Sequence, residues 1–183
     1  MIQRLPEFRE RVRRIDNRAV FEVIELLARL PGAHLVVVGS GPWLERLQSL
    51  AQSLGVQDRV TFAGLQANDR LKTYYSASDA LVLASSREGW ANVLLEAMAC
   101  GCPAISTPAG GSPEVVTDQS GGIVTDGFST DAIKQAIMQL RQRYPSREAV
   151  YSYAKNLSWQ QSIELLKSTF DRYASKIQAR QYD

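Results

Sequence analysis

The chain has 183 residues, of which 45% are hydrophobic and 22% charged, with a formal net charge of +2. This length and composition predict one globular domain with a full core. No apolar run approaches the roughly 18 residues that a membrane span needs, there is no secretory signal, and no long basic face for nucleic acid follows residue 18. We therefore expect a cytoplasmic protein that does not bind nucleic acid.

Helical and strand patterns alternate regularly from residue 17 onward. Amphipathic spacing indicates helices, and short apolar runs between turn residues indicate buried strands. This order predicts an α/β fold: a Rossmann-like parallel sheet with helices on both faces. In chain order we expect a helix over 18–30, strand 34–38, helix 43–54, strand 59–63, helix 68–76 capped by Asn68, strand 80–84, helix 92–99, strand 103–106, a short helix capped by Ser112, strand 122–125, helix 130–143 and continued helix beyond Pro145.

The predicted strand over 80–84 leads into the segment that carries the most chemistry, residues 88–96. Glu88 falls in the loop after that strand, and Glu96 falls in the early turns of the next helix. Ligands of open parallel sheets bind in the crevice outside the carboxyl ends of the strands. Both carboxylates and the free backbone amides at the helix start can face that crevice. Such a site suits a ligand with both sugar hydroxyls and phosphates.

Three motifs occur together here: the Glu-x7-Glu run, residues 95–103 (LEAMACGCP) and residues 110–114 (GGSPE). In this combination and order the chain resembles the retaining nucleotide-sugar glycosyltransferases of family 4, which are two-domain GT-B enzymes. The resemblance covers about residues 18–170 and is to the carboxyl-terminal, donor-binding domain. It implies transfer of a hexosyl group from a UDP- or GDP-sugar to an acceptor hydroxyl.

The resemblance also implies roles for individual residues. Glu96 would hold the nucleotide ribose by its two hydroxyls, because a carboxylate accepts a strong hydrogen bond from each. Glu88 would lie under the donor sugar near its reacting face, as the catalytic candidate. The donor sugar and phosphate would meet the backbone amides of a turn formed by Trp90, Ala91, Asn92 and Val93.

The departing nucleoside diphosphate needs its growing negative charge stabilised. The chain contains no Asp-x-Asp, so we expect metal-independent transfer. In the family two basic residues do this work, and spacing assigns them to Arg13 and Arg18. Arg13 depends on a strand that its own sequence does not favour, and a solvated basic segment is the alternative there.

Further pocket positions follow from the resemblance and from the glycines. Gly39 and Gly41 would form the donor-pocket wall, and Leu65 would lie near the nucleobase. A dinucleotide motif at residues 39–41 is the rival interpretation, but the third glycine is absent and no acid ends the next strand. We therefore expect no nicotinamide cofactor. The glycines at 110 and 111 form either a close turn beside the pocket or a plain turn.

The start of the chain departs from the family pattern. A central strand should precede residue 18, yet residues 8–13 (FRERVR) carry four charges. Unpaired buried charge costs on the order of several kcal/mol per group, so these residues cannot form a strand covered on both faces. The amino-terminal strand is thus expected to be atypical or missing. We divide the chain into an Arg-rich segment over 1–17, the donor-binding domain over 18–175 and a polar tail over 176–183.

The partners expected follow from the missing half of the enzyme. An amino-terminal acceptor domain or a partner chain would complete the active site, and without it the chain should be inactive. Association with the inner face of the membrane would come through the acceptor. The apolar stripe of Trp159, Ile163, Leu166 and Phe170 would be exposed or would join a second copy in a homodimer. The alternative is a non-catalytic remnant or interaction module. Cys100 and Cys102 fit small buried residues in a reducing compartment, neither a disulfide nor a metal site.

Overall fold

The computed structural model describes residues 2–4, 18–157 and 160–179. Within them, six strands form one parallel sheet in the order β3-β2-β1-β4-β5-β6. The strands are three to five residues long. The strands are β1 (Ile2–Arg4), β2 (Leu35–Val38), β3 (Val60–Gly64), β4 (Leu81–Leu83), β5 (Ala104–Ser106) and β6 (Gly122–Val124).

Helices connect these strands and continue beyond the last one. Their positions confirm the alternating pattern read from the sequence, to within a residue or two at most ends. The helices are α1 (Arg18–Ala28), α2 (Leu44–Ser53), α3 (Asn68–Ala77), α4 (Asn92–Ala99), α5 (Ser112–Val115), α6 (Thr130–Gln142), α7 (Arg147–Asn156) and α8 (Gln160–Ala179).

The two helix caps predicted from sequence are wrong. Asn68 is the first residue of α3, and Ala67, in an extended conformation, precedes it as the N-cap. Ser112 is likewise the first residue of α5, after the N-cap Gly111. Its hydroxyl is buried and has no hydrogen-bond partner among the described residues. Neither N-cap residue, Ala67 or Gly111, makes a side-chain capping hydrogen bond.

A three-residue strand occupies the centre of the sheet, so of the two expectations the atypical strand is observed and the missing strand is wrong. Strand β1 pairs with β2 on one side, Ile2 opposite Val36, and with β4 on the other, Ile2 opposite Leu81. Three residues are too few to show periodicity in a sequence, which is why this strand was not predicted. The family pattern places the central strand at residues 8–13, and these residues lie outside the described part of the chain.

The sheet separates two hydrophobic clusters, one on each face. Val82 belongs to the cluster formed with α1, α2 and α6, whereas its neighbours Leu81 and Leu83 belong to the cluster formed with α3, α4 and α7. This alternation follows from the opposite directions of successive side chains along a strand. Burying each large apolar side chain contributes about 1.5–3 kcal/mol. The two clusters therefore hold the sheet between its helix layers.

Helix α8 presents an exposed apolar surface, as predicted for part of its stripe. Leu166 is 56% exposed and Phe170 70%, with Ile163 and Tyr173 also exposed. Trp159 lies outside the described residues. The helix continues to Ala179, beyond the predicted domain end at residue 175. No helix in the described part of the chain is long and apolar enough to cross a membrane.

Arg59 fastens the end of α1 to the start of β3. Its guanidinium nitrogen Nη1 donates to the carbonyl oxygens of Leu27 at 3.0 Å, Leu30 at 2.9 Å and Ala33 at 3.2 Å. Leu27 lies in the last turn of α1, and Leu30 and Ala33 follow it; the carboxyl end of a helix favours a cation. Arg59 is therefore a structural residue that joins two distant segments.

We expect Arg59→Ala to lower the free energy of unfolding by about 1.5–3 kcal/mol, the usual contribution of hydrogen bonds to a charged group. Chemical denaturation of the purified chain measures this directly. Replacing the exposed Arg70 by alanine should change stability by no more than about 0.5 kcal/mol. Equal stability losses in the two variants would contradict the structural role of Arg59.

Candidate functional site

All six strands run parallel, so their carboxyl ends lie at one edge of the sheet. Gly39 follows β2 and its amide donates to the carbonyl of Gly64, the last residue of β3, at 2.8 Å. Leu65 comes next and is 53% exposed. The loops after β4 and β5 lie at the same edge. In this strand order the chain reverses direction across the sheet between β1 and β4, the position where such sheets bind ligands.

The loop after β4 carries the first carboxylate. Glu88 is half-buried, and Trp90 beyond it is 47% exposed. Ala91 is buried and precedes α4 as its N-cap. The amide of Asn92 donates to the carbonyl of Trp90 at 3.0 Å, which closes the turn into the helix. Glu88 thus sits beside the amino-terminal end of α4, as the sequence predicted.

The glycines at 110 and 111 form a close turn packed against that loop. The amide of Gly111 donates to the carbonyl of Gly89 at 3.0 Å. Gly110 has a φ of +51°, and a Cβ at this position would overlap the carbonyl oxygen of Glu88. A Cβ on Gly111 would lie 3.0 Å from the Trp90 ring. Of the two interpretations left open by the sequence, the close turn is the one observed.

Thr107 joins the exits of β4 and β5 and was not identified from the sequence. It is 2% exposed, and its amide donates to the carbonyl of Leu83 at 3.1 Å. Its hydroxyl donates to the carbonyl of Ser85 in the loop that leads to Glu88. A threonine directly after a buried strand is the only sequence signal for this role. The side chain fixes where the Glu88 loop departs from the sheet.

Glu96 is exposed on α4, and its carboxylate is hydrogen-bonded to a buried side chain. Its oxygen Oε2 accepts a hydrogen bond from the hydroxyl of Tyr75 at 3.1 Å. Tyr75, on α3, is only 2% exposed and belongs to the cluster between α3, α4 and the sheet. The sequence identified the carboxylate but gave no sign of this partner. Val93, one turn earlier on α4, is half-buried.

The remaining predicted residues differ in how much the structure describes of them. Arg18 is the first residue of α1, the helix that follows β1, so its backbone lies on the carboxyl side of the sheet. Arg13 is outside the described residues. Gly41 is exposed, with open space around it. Among the described residues no three His, Cys, Asp or Glu side chains cluster closely enough to hold a metal ion.

Helix α7 packs against α4 and is hydrogen-bonded to the segment around α5. The Tyr153 hydroxyl donates to the carbonyl of Val115 at 2.8 Å and accepts from the amide of Thr117 at 2.8 Å. A Cβ on Gly121 would collide with the Tyr153 ring. The carboxylate-bearing helix α4 thus packs against both α3 and α7.

Cys102 lies in the turn between α4 and β5 and is fully buried, while Cys100 is partly exposed; both are free thiols. Burial raises the pKa of the Cys102 thiol to about 11, from an ordinary value of 9.0. The neutral thiol is thus favoured in the folded state.

We expect this thiol to contribute to alkaline unfolding. Its contribution is fully present below pH 9 and is lost as the pH rises toward about 11, at about 1.4 kcal/mol per pH unit. Urea denaturation at several pH values should show a shallower decline for Cys102→Ala than for the wild type. Parallel declines would contradict the assignment. The partly exposed Cys100 supplies the matched Cys100→Ala control.

The class of protein follows from these features together with the matches to known proteins. The parallel sheet carries two glutamates, Glu88 and Glu96, in the loop and helix that follow β4. Residues 12–157 match the family described as Glycosyl transferases group 1, and the chain belongs to that family.

Curated relatives include D-inositol 3-phosphate glycosyltransferase from Mycobacteroides abscessus, 35% identical over 167 residues, which is 87% of this chain and 38% of the relative. A GDP-mannose-dependent alpha-(1-6)-phosphatidylinositol monomannoside mannosyltransferase from Mycobacterium tuberculosis is 40% identical over 119 residues, 61% of this chain and 31% of the relative. The chain thus spans about a third of the length of the curated relatives it matches.

Solved structures agree on the fold. The C-terminal domain of a glycosyl transferase group 1 family protein from Francisella tularensis superposes with a TM-score of 0.68 at 26% identity, over 85% of this chain and 83% of that one. The apo form of the lipopolysaccharide outer core galactosyltransferase WaaB gives 0.75 at 21% identity, over 93% and 48%. An Anabaena protein, HepE, in complex with UDP gives 0.70 at 22% identity, over 91% and 48%.

Proposed function

We propose that this chain is the donor-binding half of a retaining family 4 glycosyltransferase that uses a UDP- or GDP-sugar. The observation that carries the proposal is the placement of Glu88 and Glu96 on the loop and helix after β4, at the switch point of the sheet. Glu96 is exposed and Glu88 half-buried, so both carboxylates are accessible to a ligand. The hydroxyl groups of a sugar and of a ribose are suitable donors to them.

The proposed roles follow from the chemistry of each group. Glu96 accepts hydrogen bonds from the two ribose hydroxyls, and Glu88 contacts the donor sugar near its reacting face. The amino-terminal turn of α4 (Trp90 to Val93) favours the negative diphosphate through its amides and dipole. Arg18, at the start of α1, and Arg13 neutralise the charge that grows on the diphosphate as the sugar departs. In this proposal no metal is needed.

The donor pocket would extend along the strand exits. Gly39 and Gly41 permit close approach of the backbone after β2, and the exposed Leu65 after β3 offers an apolar contact to the nucleobase. One relative is named as GDP-mannose-dependent, and one structural neighbour contains UDP. Guanine and uracil nucleotides are therefore both included in the binding test below.

The acceptor site is proposed to come from an amino-terminal domain or a partner chain. The curated relatives are about three times as long as the part matched here, and GT-B transfer takes place in the cleft between two domains. The purified 183-residue chain should then bind donor without transferring sugar. Turnover by this chain alone would contradict that division. One relative is named as a phosphatidylinositol monomannoside mannosyltransferase, and a lipid of that kind as acceptor would bring the enzyme to the inner face of a membrane.

A thermal melt with millimolar UDP, GDP or ADP tests donor binding. A nucleotide that binds only the folded chain adds about 2.7 kcal/mol at 100 times its dissociation constant. We expect one of UDP and GDP to raise the melting temperature and ADP not to do so. Glu25→Gln, an exposed glutamate on α1, should behave as the wild type. A cooperative melt that no nucleotide moves would favour a non-catalytic remnant.

A further inference from the structure

We propose that Tyr75 is a positioning residue that orients the Glu96 carboxylate for a ribose carrying both its 2′- and 3′-hydroxyls. The proposal rests on the role proposed above for Glu96. It adds a specificity element: the chain should distinguish ribonucleotides from 2′-deoxyribonucleotides through a tyrosine that does not itself touch the ligand.

The geometry joins a fixed group to an exposed one. The Tyr75 hydroxyl donates to Glu96 Oε2 at 3.1 Å. The tyrosine is 2% exposed and shares its buried cluster with Leu71, Leu94 and Met98. These residues come from α3 and α4, so the ring is held by the same contacts that pack the two helices together. The ring cannot follow the carboxylate if the carboxylate rotates.

An exposed glutamate without such a donor has a loosely defined carboxylate orientation. Rotation about its last side-chain bond is broad and roughly twofold. Accepting hydrogen bonds from two adjacent ribose hydroxyls requires both oxygens in a set plane, so free rotation must be lost on binding. The buried Tyr75 hydroxyl holds the carboxylate in one orientation before the ligand binds. Less rotational freedom is then lost on binding, and the affinity is higher. Its effect should be largest for a ligand that uses both hydroxyls.

The phenylalanine variant isolates the hydroxyl. Tyr75→Phe keeps the ring that fills the core, so the chain should still fold cooperatively. Tyr74→Phe is the matched control, because Tyr74 is the adjacent, half-buried tyrosine on α3. Isothermal titration calorimetry with GDP, UDP and their 2′-deoxy analogues gives the affinity ratio of ribo- to deoxyribonucleotide for each chain.

For the wild type we expect the ribonucleotide to bind about tenfold more tightly, the effect of one hydrogen bond to a charged group. In Tyr75→Phe the ribonucleotide should weaken about three- to tenfold and the deoxy form much less, so the ratio falls toward one. Tyr74→Phe should keep the wild-type ratio. A merely structural tyrosine would weaken both ligands equally.

The outcomes separate this inference from the proposed function. A wild-type ratio in Tyr75→Phe, with a reduced ratio in Glu96→Gln, overturns the role of Tyr75 and leaves Glu96 as the ribose ligand. An unchanged ratio in Glu96→Gln overturns the assignment of Glu96, and with it the role of Tyr75. Failure of GDP and UDP to bind the wild-type chain overturns both.

Discussion

Glu96→Gln is expected to weaken nucleoside diphosphate binding about ten- to a hundredfold while the ligand-free chain still melts cooperatively. A carboxylate accepts hydrogen bonds about twice as strong as those to a neutral oxygen, and each bond to a charged group contributes about 1.5–3 kcal/mol. Two ribose hydroxyls would lose that advantage together. The glutamine oxygen can still accept from Tyr75, so the packing between α3 and α4 is retained. Titration calorimetry and a thermal melt measure the two quantities separately.

The control is Glu25→Gln, which removes an exposed carboxylate from the middle of another helix. It should leave both affinity and stability unchanged. Unaltered nucleotide affinity in Glu96→Gln would contradict the proposed ribose contact. Loss of cooperative melting would instead show that Glu96 is needed for folding.

Gly110→Ala is expected to damage both the fold and the site. Gly110 has a φ of +51°, where an L-residue costs about 1–2 kcal/mol. Its Cβ would also overlap the carbonyl oxygen of Glu88, so the loop that bears the first glutamate must move. Overpacking of this kind adds about 1–3 kcal/mol. We expect a total loss of about 2–5 kcal/mol in the free energy of unfolding. The affinity for the intact nucleotide-sugar should fall more than the affinity for the free nucleotide, because Glu88 is the proposed contact to the sugar.

Gly55→Ala separates the two causes. Gly55 has a φ of +64°, and nothing lies within 4 Å of its would-be Cβ. It should lose only the conformational part of the stability, about 1–2 kcal/mol, and keep its affinity for nucleotide-sugar. If Gly110→Ala and Gly55→Ala are equally stable and bind donor equally well, the turn at residues 110–111 does not support the Glu88 loop.

The sequence predicts this fold well where local signals are strong. The helix over 92–99 is found with the predicted bounds, because small and straight-chain apolar residues replace a β-rich run. Beyond Pro145 the prediction of continued helix misses the end of α7 at Asn156, since Leu157 breaks the helix without glycine or proline. Strand β1 was missed because three residues paired on both sides carry no pattern of their own.

The site was predictable in its charged residues and not in their supports. Glu88 and Glu96 stand out because their spacing across a strand-to-helix junction is visible in the sequence itself. Tyr75 and Thr107 gave no comparable signal, since their hydrogen bonds depend on which segments the fold brings together. Gly110 lies between these cases: the sequence predicted a turn, and only the structure shows that the turn contacts Glu88.

The most direct test of the account is a backbone amide NMR titration of the chain with GDP and UDP. We expect saturable shifts for residues 88–96 and for the loops at 39–41, 65 and 110–111, with little change along α8. Shifts confined to other surfaces, or none at millimolar nucleotide, would contradict a donor site at this edge of the sheet.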